Sequence, residues 1–286
     1  MNNTHHSLTA HVFSSCGLAV VILGGSCTDS DHVSVVPNGA SKAAHNAVMV
    51  STGTGIYIGE RLVLTNSHVC QAVEGLQFFS DSDRSGNFHY EGPPLEAWEC
   101  SPELMTACKP HLVARVFSKR ENYDSLGLVT FADSTIDLCI LELKPSPQPP
   151  SDFIPIRIQT ALVRVGQEVV ASGYPLGKQQ LTTERCAVTK GTELVADPDP
   201  IYPSGSRLMS FGISCKSIQH GSSGSPVFDA ISGELLGLAW TRECPEAMAG
   251  SCSGTVYVTA ASEWQHAANA DERKSRLRDL LQGHAE

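Results

Sequence analysis

The sequence is poor in several features that would assign it to a familiar class of proteins. Aromatic residues make up only 6% of its 286 residues, and no apolar run is long enough to anchor it stably across a bilayer. Basic residues are also scarce, with 20 Lys and Arg against 30 Asp and Glu and a formal charge of −10. Because nucleic-acid binding requires concentrated positive charge, we do not expect nucleic acid as a partner.

Turn-forming residues are abundant instead. The chain is 41% hydrophobic, and 24 Gly and 16 Pro interrupt it at short intervals. Short apolar runs that are rich in β-branched residues and separated by Gly or Pro are typical of antiparallel sheets rather than of helical bundles. The composition therefore favours an all-β protein with a sizeable core.

The N-terminus resembles a leader sequence. An apolar stretch, Val12 to Leu23, ends in small residues that precede Cys27, so residues 1–27 are expected to be an export signal or a lipoprotein leader. In the second case Cys27 carries a lipid that attaches the protein to a membrane. No Lys or Arg precedes the apolar stretch, and Gly24 replaces the usual leucine of a lipoprotein box. Free secretion, lipid anchoring and a simple disordered tail all stay open.

Cysteine usage is consistent with an oxidising compartment. Of the 10 cysteines, eight remain once the two in the leader are set aside, which is an even number. No Cys-x-x-Cys pair occurs, so a metal site is not expected. Connectivity cannot be read from a sequence, but two pairs bracket short loops and are candidate disulfides: Cys100/Cys108 and Cys244/Cys252.

A proline-rich stretch divides the chain into two parts. Residues 145–155 cannot pair within a sheet and are expected to form a linker between a β domain over 48–144 and a second one over 156–286. Residues 28–47 are expected to be a flexible segment, and 80–110 an insertion. A C-terminal helix, capped by Ser262 and with leucines on one face, is expected to pack on the second domain: Leu277, Leu280 and Leu281.

Two segments in the first part carry groups suited to proton transfer. The strand-like run Arg61–Thr65 is followed closely by His68, at the point where a turn should begin. Asp137 opens the apolar run that continues to Leu143, so its carboxylate is expected near the core. A buried carboxylate is costly unless it is paired, and holding the Nδ1–H of an imidazole is one such pairing. Asp133 and Asp124 are alternatives, but both stand in polar, loop-like surroundings.

The third segment, in the second part, is rich in small residues. Gly221-Ser-Ser223-Gly-Ser is followed by Pro-Val-Phe, the start of a strand that would hold the turn. Small residues allow a tight turn around Ser223, in which the N–H groups of Gly221 and Ser223 can converge on one oxyanion. Such a turn taken alone is usually only a turn, and the three segments gain weight by occurring together.

In this order, Thr-Asn-Ser-His68, Ile-Asp137-Leu and Gly-Ser-Ser223-Gly-Ser-Pro resemble the trypsin/chymotrypsin clan of serine proteases. The likeness is to its bacterial branch, with the glutamyl endopeptidases and HtrA-type proteases, and covers roughly residues 48 to 262. It implies two antiparallel six-stranded β-barrels with a C-terminal α-helix. It also implies peptide-bond hydrolysis through an acyl-enzyme on Ser223, with His68 as base and Asp137 as its orienting carboxylate, and without any cofactor.

The resemblance also implies a substrate site. Ser217, six residues before the nucleophile, is expected at the base of the S1 pocket. Because this position carries no carboxylate, a preference for Lys or Arg at P1 is not expected. The strand that contains Ala239, Trp240 and Thr241 is expected to bind the substrate backbone as an added β-strand. A small or apolar P1 residue is the prediction, although Lys216 leaves an acidic one open.

Three features depart from the family's pattern. Ser222 replaces the aspartate that captures a freed N-terminus in trypsin-type zymogens, so activation through that salt bridge is not expected. Cys70 lacks its usual partner, because Gly53 stands in that place, and it either pairs elsewhere or stays a buried thiol. About 25 residues follow Ala261, too few for the PDZ domain of HtrA-type proteases.

Three other functional classes compete with a protease. A catalytically silent member of the fold could act as a binding module, but such proteins usually lack a catalytic residue that is present here. An α/β-hydrolase esterase places its serine before its acid and histidine, which is the reverse of the order in this chain. A structural envelope protein would have no need for the coincident segments.

Overall fold

The computed structural model describes the chain in eleven stretches, and these are the basis of all that follows. They are residues 38–50, 53–71, 89–91, 113–118, 123–145, 154–175, 180–196, 207–219, 221–243, 254–272 and 274–284. The candidate disulfides Cys100/Cys108 and Cys244/Cys252 lie outside them, as do most of the 80–110 insertion and residues 146–153 of the linker. Those predictions, and the linker boundaries, stay predictions.

The first part of the chain forms an antiparallel barrel. Its strands are β1 (Ala47–Val50), β2 (Gly53–Gly59), β3 (Leu62–Thr65), β4 (His89–Glu91), β5 (Val113–Ser118), β6 (Tyr123–Asp133) and β7 (Leu138–Leu143). The order is β4-β6-β5-β1-β2-β3-β7, and a further pairing of β6 with β7 closes six of them into a ring. The short strand β4, from the predicted insertion, is added to the outside of β6.

The second part forms a closed barrel of six antiparallel strands. These are β8 (Glu168–Gly173), β9 (Thr182–Ala196), β10 (Arg207–Ser214), β11 (Pro226–Asp229), β12 (Leu235–Arg242) and β13 (Val256–Ala260). Their order around the barrel is β10-β13-β12-β11-β8-β9. The prediction of two antiparallel β-barrels is therefore confirmed, with one extra edge strand on the first.

Three groups of buried side chains hold this architecture together. One fills the first barrel around Val63 and Leu141, and another fills the second around Phe211 and Val258. The largest lies between the barrels and joins residues of both, such as Leu64 and Phe228, to the C-terminal helices. The first barrel, the second barrel and the C-terminal helices thus share one core.

Two short helices flank the first three strands, one before β1 and one after β3. The helix α1 (Asn38–Ala44) buries Ala40, Ala43 and Ala44, which pack into the core between the barrels. The prediction of a flexible segment over 28–47 is thus wrong for its last part, because the small side chains of this polar stretch lie on one buried face. The helix α2 (Ser67–Gln71) begins two residues after β3 and carries His68.

The C-terminus contains two helices instead of the single one predicted. They are α3 (Ala261–Ala270) and α4 (Ser275–Gly283), and the chain is extended at Asp271 between them. Ser262 is not the cap, since α3 already begins at Ala261 and has no side-chain cap. The three predicted leucines of α4 are buried, but they pack between both barrels and not on the second alone. No helix in the described stretches has the length and apolarity to cross a membrane.

The turn from β11 to β12 is organised by one carboxylate. Asp229 accepts hydrogen bonds from the N–H groups of Ile231 at 2.9 Å and Ser232 at 2.7 Å, and from Gln167 Nε2 at 2.8 Å. Burial alone would raise the pKa of Asp229, but these hydrogen bonds outweigh it and hold the pKa below its usual value. The turn therefore depends on Asp229 being ionised.

Candidate active site

His68 and Asp137 form a hydrogen-bonded pair in the first barrel. The ring atom Nδ1 of His68 lies 2.9 Å from Asp137 Oδ2 and 3.1 Å from Oδ1. The backbone N–H of His68 also donates to Oδ1 at 3.1 Å. Because Asp137 is 4% exposed, its carboxylate has little access to water and relies on these donors. The pair leaves the other ring nitrogen, Nε2, facing away from Asp137.

Asn66 and Ser67, which directly precede His68, hold Asp137 in place. Ser67 Oγ donates to Asp137 Oδ1 at 2.8 Å, and Asn66 Nδ2 donates to the Asp137 carbonyl at 3.1 Å. Asp137 itself has a φ of +46°, in the left-handed region that Asp tolerates better than most residues. Neither supporting residue was predicted from the sequence. The one indication of their role there is that both directly precede the histidine.

A disulfide links the elements that carry this pair. Cys70, on α2, is bonded to Cys139, the second residue of β7. Of the two possibilities left open for Cys70, pairing elsewhere in the chain is the correct one. The bond ties the helix of His68 to the strand that begins just after Asp137.

The alternative carboxylate Asp133 has a different environment from the one predicted. It is 1% exposed, and its Oδ2 lies 2.6 Å from Lys274 Nζ, between helices α3 and α4. Its Oδ1 accepts from the N–H of Thr135 at 2.8 Å and from its hydroxyl at 2.6 Å. The expectation of a polar, loop-like position is therefore wrong. Asp133 is a buried partner of Lys274 at the start of the turn that leads to Asp137.

The loop of Ser223 is shaped by its own backbone hydrogen bonds. Ser222 N donates to Gln219 O at 2.8 Å, and Ser225 N donates to Ser222 O at 2.9 Å. Gly221 and Gly224 have φ values of +80° and +84°, which a side chain would strain. At Gly224 a Cβ would also overlap the Thr54 carbonyl. The turn therefore requires glycine where the sequence has it.

The same loop is attached to both barrels. Gly224 N donates to Ala239 O on β12 at 2.8 Å, while Ser223 O accepts from Thr54 N on β2 at 2.7 Å. A Cβ built on Gly53 would lie 2.8 Å from Val69 and 2.9 Å from Ser223 O. Val69 directly follows His68 on α2. Gly53 thus lies between Val69 of α2 and the main chain of Ser223.

The Ser223 side chain is half-buried at the edge of β12. Its hydroxyl lies 3.5 Å from Trp240 O, at the limit of a hydrogen bond. The Trp240 indole points the other way and donates from Nε1 to Ser210 Oγ at 2.9 Å. Ala239 and Trp240 are 2% and 4% exposed, so their side chains offer a substrate little surface. Both backbone groups of Ala239 are already hydrogen-bonded to the Ser223 loop, since its N–H donates to Ser225 O and its carbonyl accepts from Gly224 N. Thr241, the third residue predicted there, is half-buried.

Ser217 is held by a carboxylate from β9. Its N–H and its hydroxyl both donate to Glu184 Oε2 at 2.6 Å, and Lys216 N donates to the same carboxylate. Beside them, Cys186 and Cys215 form a second disulfide, which joins β9 to the segment before Ser217. These two sulfurs and Glu184 are close enough to hold a metal ion, but bonded sulfurs are not thiolate ligands.

Comparison with known proteins assigns the chain to a family. The trypsin-like peptidase domain family matches residues 53–238, which include His68, Asp137 and Ser223. The chain belongs to this family. No curated protein sequence matches this trypsin-like peptidase significantly.

Solved structures show the same fold at low identity. The Rv3671c protease in an inactive form is 20% identical, with a TM-score of 0.53 over 81% of this chain and 91% of that chain. The active form of Rv3671c protease from M. tuberculosis is 18% identical, with a TM-score of 0.52 over 87% and 93%. The trypsin-like peptidase therefore has the fold of a serine protease along most of its length.

Proposed function

We propose that this trypsin-like peptidase is a secreted or envelope-anchored serine endopeptidase that acts through an acyl-enzyme on Ser223. The observation that carries the proposal is the His68–Asp137 pair at 2.9 Å, on the helix α2 that Gly53 separates from the Ser223 main chain. An imidazole oriented in this way by a buried carboxylate is suited to accept a proton from a nearby hydroxyl.

The first half of the reaction acylates Ser223. His68 Nε2 takes the hydroxyl proton as Oγ attacks the peptide carbonyl, and Asp137 stabilises the imidazolium that results. The N–H groups of Gly221 and Ser223 are assigned to the oxyanion, and each such donor typically contributes about 10²–10³ in rate. His68 then gives its proton to the leaving amine as the carbon–nitrogen bond breaks.

The second half restores the enzyme. A water molecule gives a proton to His68 and attacks the acyl carbonyl, and the proton returns to Ser223 Oγ as the carboxylic product leaves. Ser67 supports this cycle because its hydroxyl donates to the carboxylate of Asp137.

Labelling with a fluorophosphonate probe tests the proposal directly. Wild type should be labelled, while Ser223→Ala should not be and His68→Ala should react far more slowly. Ser232→Ala is the matched control, since this serine lies in the β11–β12 turn and should not change labelling. A folded wild type that does not react would reject the endopeptidase proposal and favour the silent binding module.

Export is the second half of the proposal. Two disulfides are compatible with an oxidising compartment, and residues 1–27 have the pattern of a leader. Expression of the full chain in a bacterial host, followed by mass spectrometry of its N-terminus, separates the two forms. Lipidated Cys27 and loss of membrane attachment in Cys27→Ser would support anchoring, and an unmodified cleaved N-terminus in the medium would support free secretion. An uncleaved cytoplasmic chain would contradict both.

A further inference from the structure

The side chain of Arg242 bridges the walls of the expected S1 pocket. Arg242 ends β12, and its guanidinium donates from Nη1 to Ile218 O at 2.5 Å and to Lys216 O at 3.4 Å. Nη2 donates to Cys215 O at 3.0 Å, and Nε donates to Gly254 O at 3.2 Å, just before β13. The guanidinium thus connects three separate segments of the second barrel.

The Arg242 guanidinium lies beside the segment of Ser217, where the S1 pocket for the P1 side chain is expected. Ser217 stands between the carbonyls of Lys216 and Ile218, both of which accept from Arg242. The same segment continues through Gln219 to the Ser223 loop. A P1 side chain that enters beside Ser223 and points toward Ser217 therefore meets the guanidinium.

The positive charge of Arg242 is partly desolvated and has no direct counter-ion among the residues that the structure describes. Burial lowers the pKa of Arg242, and the more distant Glu184 acts in the opposite direction. In the described part of the chain, no carboxylate forms an ion pair with Arg242 within 4.0 Å. Carbonyl groups accept hydrogen bonds but carry no net charge, so they do not neutralise a cation.

Within the described stretches, one N–H group of Arg242 also has no acceptor and could meet a ligand. A guanidinium has five N–H donors, and the four carbonyls account for four of them. The fifth is on Nη2. Both the charge and the donor suit a carboxylate, because hydrogen bonds between ionised partners are roughly twice as strong as neutral ones.

We propose that Arg242 determines the specificity of the enzyme by selecting substrates with Glu or Asp at P1. The inference rests on the proposed function and deepens it. An acidic P1 side chain supplies the missing counter-ion, while a basic one is repelled by the guanidinium. This proposal differs from the expectation from the sequence, which was a small or apolar residue at P1.

Glu184 acts on Arg242 electrostatically and would favour a substrate of the opposite charge. Its Oε2 already accepts three hydrogen bonds, from Lys216 N, Ser217 N and Ser217 Oγ. In our interpretation its role is to position Ser217. Its negative charge weakens the attraction of Arg242 for an acidic P1 residue. Removing that charge should therefore strengthen the preference for an acidic P1 residue, whereas removing Arg242 should weaken it.

The test uses peptides that differ only at P1, with Glu, Gln, Leu or Lys. For wild type we expect kcat/KM for Glu to exceed that for its neutral isostere Gln by about 10- to 150-fold, the range of a hydrogen bond to a charged group. Arg242→Met should bring this ratio close to 1, and Arg242→Lys should retain part of it. Glu184→Gln keeps an acceptor oxygen for Ser217 and removes the repelling charge, so it should raise the ratio.

A second measurement does not depend on turnover or on the survival of the Met variant. Labelled product peptides that end in Glu or Gln are titrated against Ser223→Ala, with and without Arg242→Lys, and binding is followed by fluorescence anisotropy. Both peptides carry the same terminal carboxylate, so a difference reports the P1 side chain alone. Tighter binding of Glu, reduced by Arg242→Lys, supports the inference.

The outcomes separate the inference from the function on which it rests. An enzyme that reacts with a neutral fluorophosphonate but prefers Leu or Gln at P1 would overturn the role of Arg242 and leave the endopeptidase intact. A preference for Lys that is lost in Glu184→Gln would assign the pocket to Glu184 instead. If the enzyme does not react at all, the endopeptidase proposal fails and the product-peptide titration alone decides the inference.

Discussion

The buried ion pair between Lys274 and Asp133 should be among the costliest interactions to break in this protein. The two charged atoms are 2.6 Å apart, and the side chains are 10% and 2% exposed. Lys274→Met removes the cation and leaves the Asp133 carboxylate in the interior without it, although Thr135 still donates to it. Removing one partner of a buried pair typically costs about 3–5 kcal/mol of unfolding free energy.

Urea unfolding at pH 7 measures this cost. For a protein of this size 1 kcal/mol corresponds to roughly 2–4 °C, so the Tm should also fall by about 6–20 °C. Lys42→Met is the matched control, because Lys42 is exposed on α1, and it should change stability by less than about 0.5 kcal/mol. The double variant Lys274→Met/Asp133→Asn should recover part of the loss, since it no longer buries an unpaired charge.

Two results would refute this reasoning. If Lys274→Met is no less stable than Lys42→Met, the pair does not hold the C-terminal helices on the first barrel. If the two single variants and the double variant are additive within about 0.5 kcal/mol, Lys274 and Asp133 are energetically independent despite their contact.

The other expected outcomes concern the inside of the second barrel, its β11–β12 turn and the disulfide of the first barrel. Gly173→Ala should strongly destabilise the fold because its Cβ would overlap Ser225 Oγ, and Ser225→Ala should recover part of the loss in urea unfolding; no recovery would contradict this contact. Asp229→Asn should be destabilising at pH 7 but much less so near pH 2. The pKa of Asp229 is lowered by folding, so its contribution is present above the unfolded value of about 3.9 and is lost as the pH falls through the folded value; a constant difference would reject this. Replacing Cys70 and Cys139 by Ala opens a loop with a sequence separation of 69, which should cost about 4 kcal/mol by loop entropy, and an unchanged Tm would argue against it.

Local patterns were sufficient to predict many of the strands, while the two-barrel fold was implied by the family resemblance. Short apolar runs predict strands at Arg61–Thr65 and Leu138–Leu143, and the structure has strands at Leu62–Thr65 and Leu138–Leu143. The Pro-Val-Phe run after Ser223 likewise becomes a strand, β11. Such predictions succeed because strand formation depends on β-branched side chains and turn residues that are close in sequence.

Contacts between distant parts of the chain were not predictable in this way. The partner of Cys70 lies 69 residues away, and neither cysteine carries a signal of the other. Asp133 was assigned to a polar loop because its neighbours are polar, although Lys274 buries it from the other end of the chain. Ser67 acts on Asp137, in another strand, and its chemistry was hidden in an ordinary serine.

The sequence by itself determined which chemical groups are present and in what order. His68, Asp137 and Ser223 stand in segments whose small or apolar neighbours already indicate a strand end or a tight turn. The tertiary structure alone decided how Arg242 is used, because its guanidinium reaches carbonyl groups on segments far apart in sequence. A charge at the end of a strand is read as solvated until the fold shows what surrounds it, since burial and hydrogen-bond partners depend on packing between elements and not on periodicity within one.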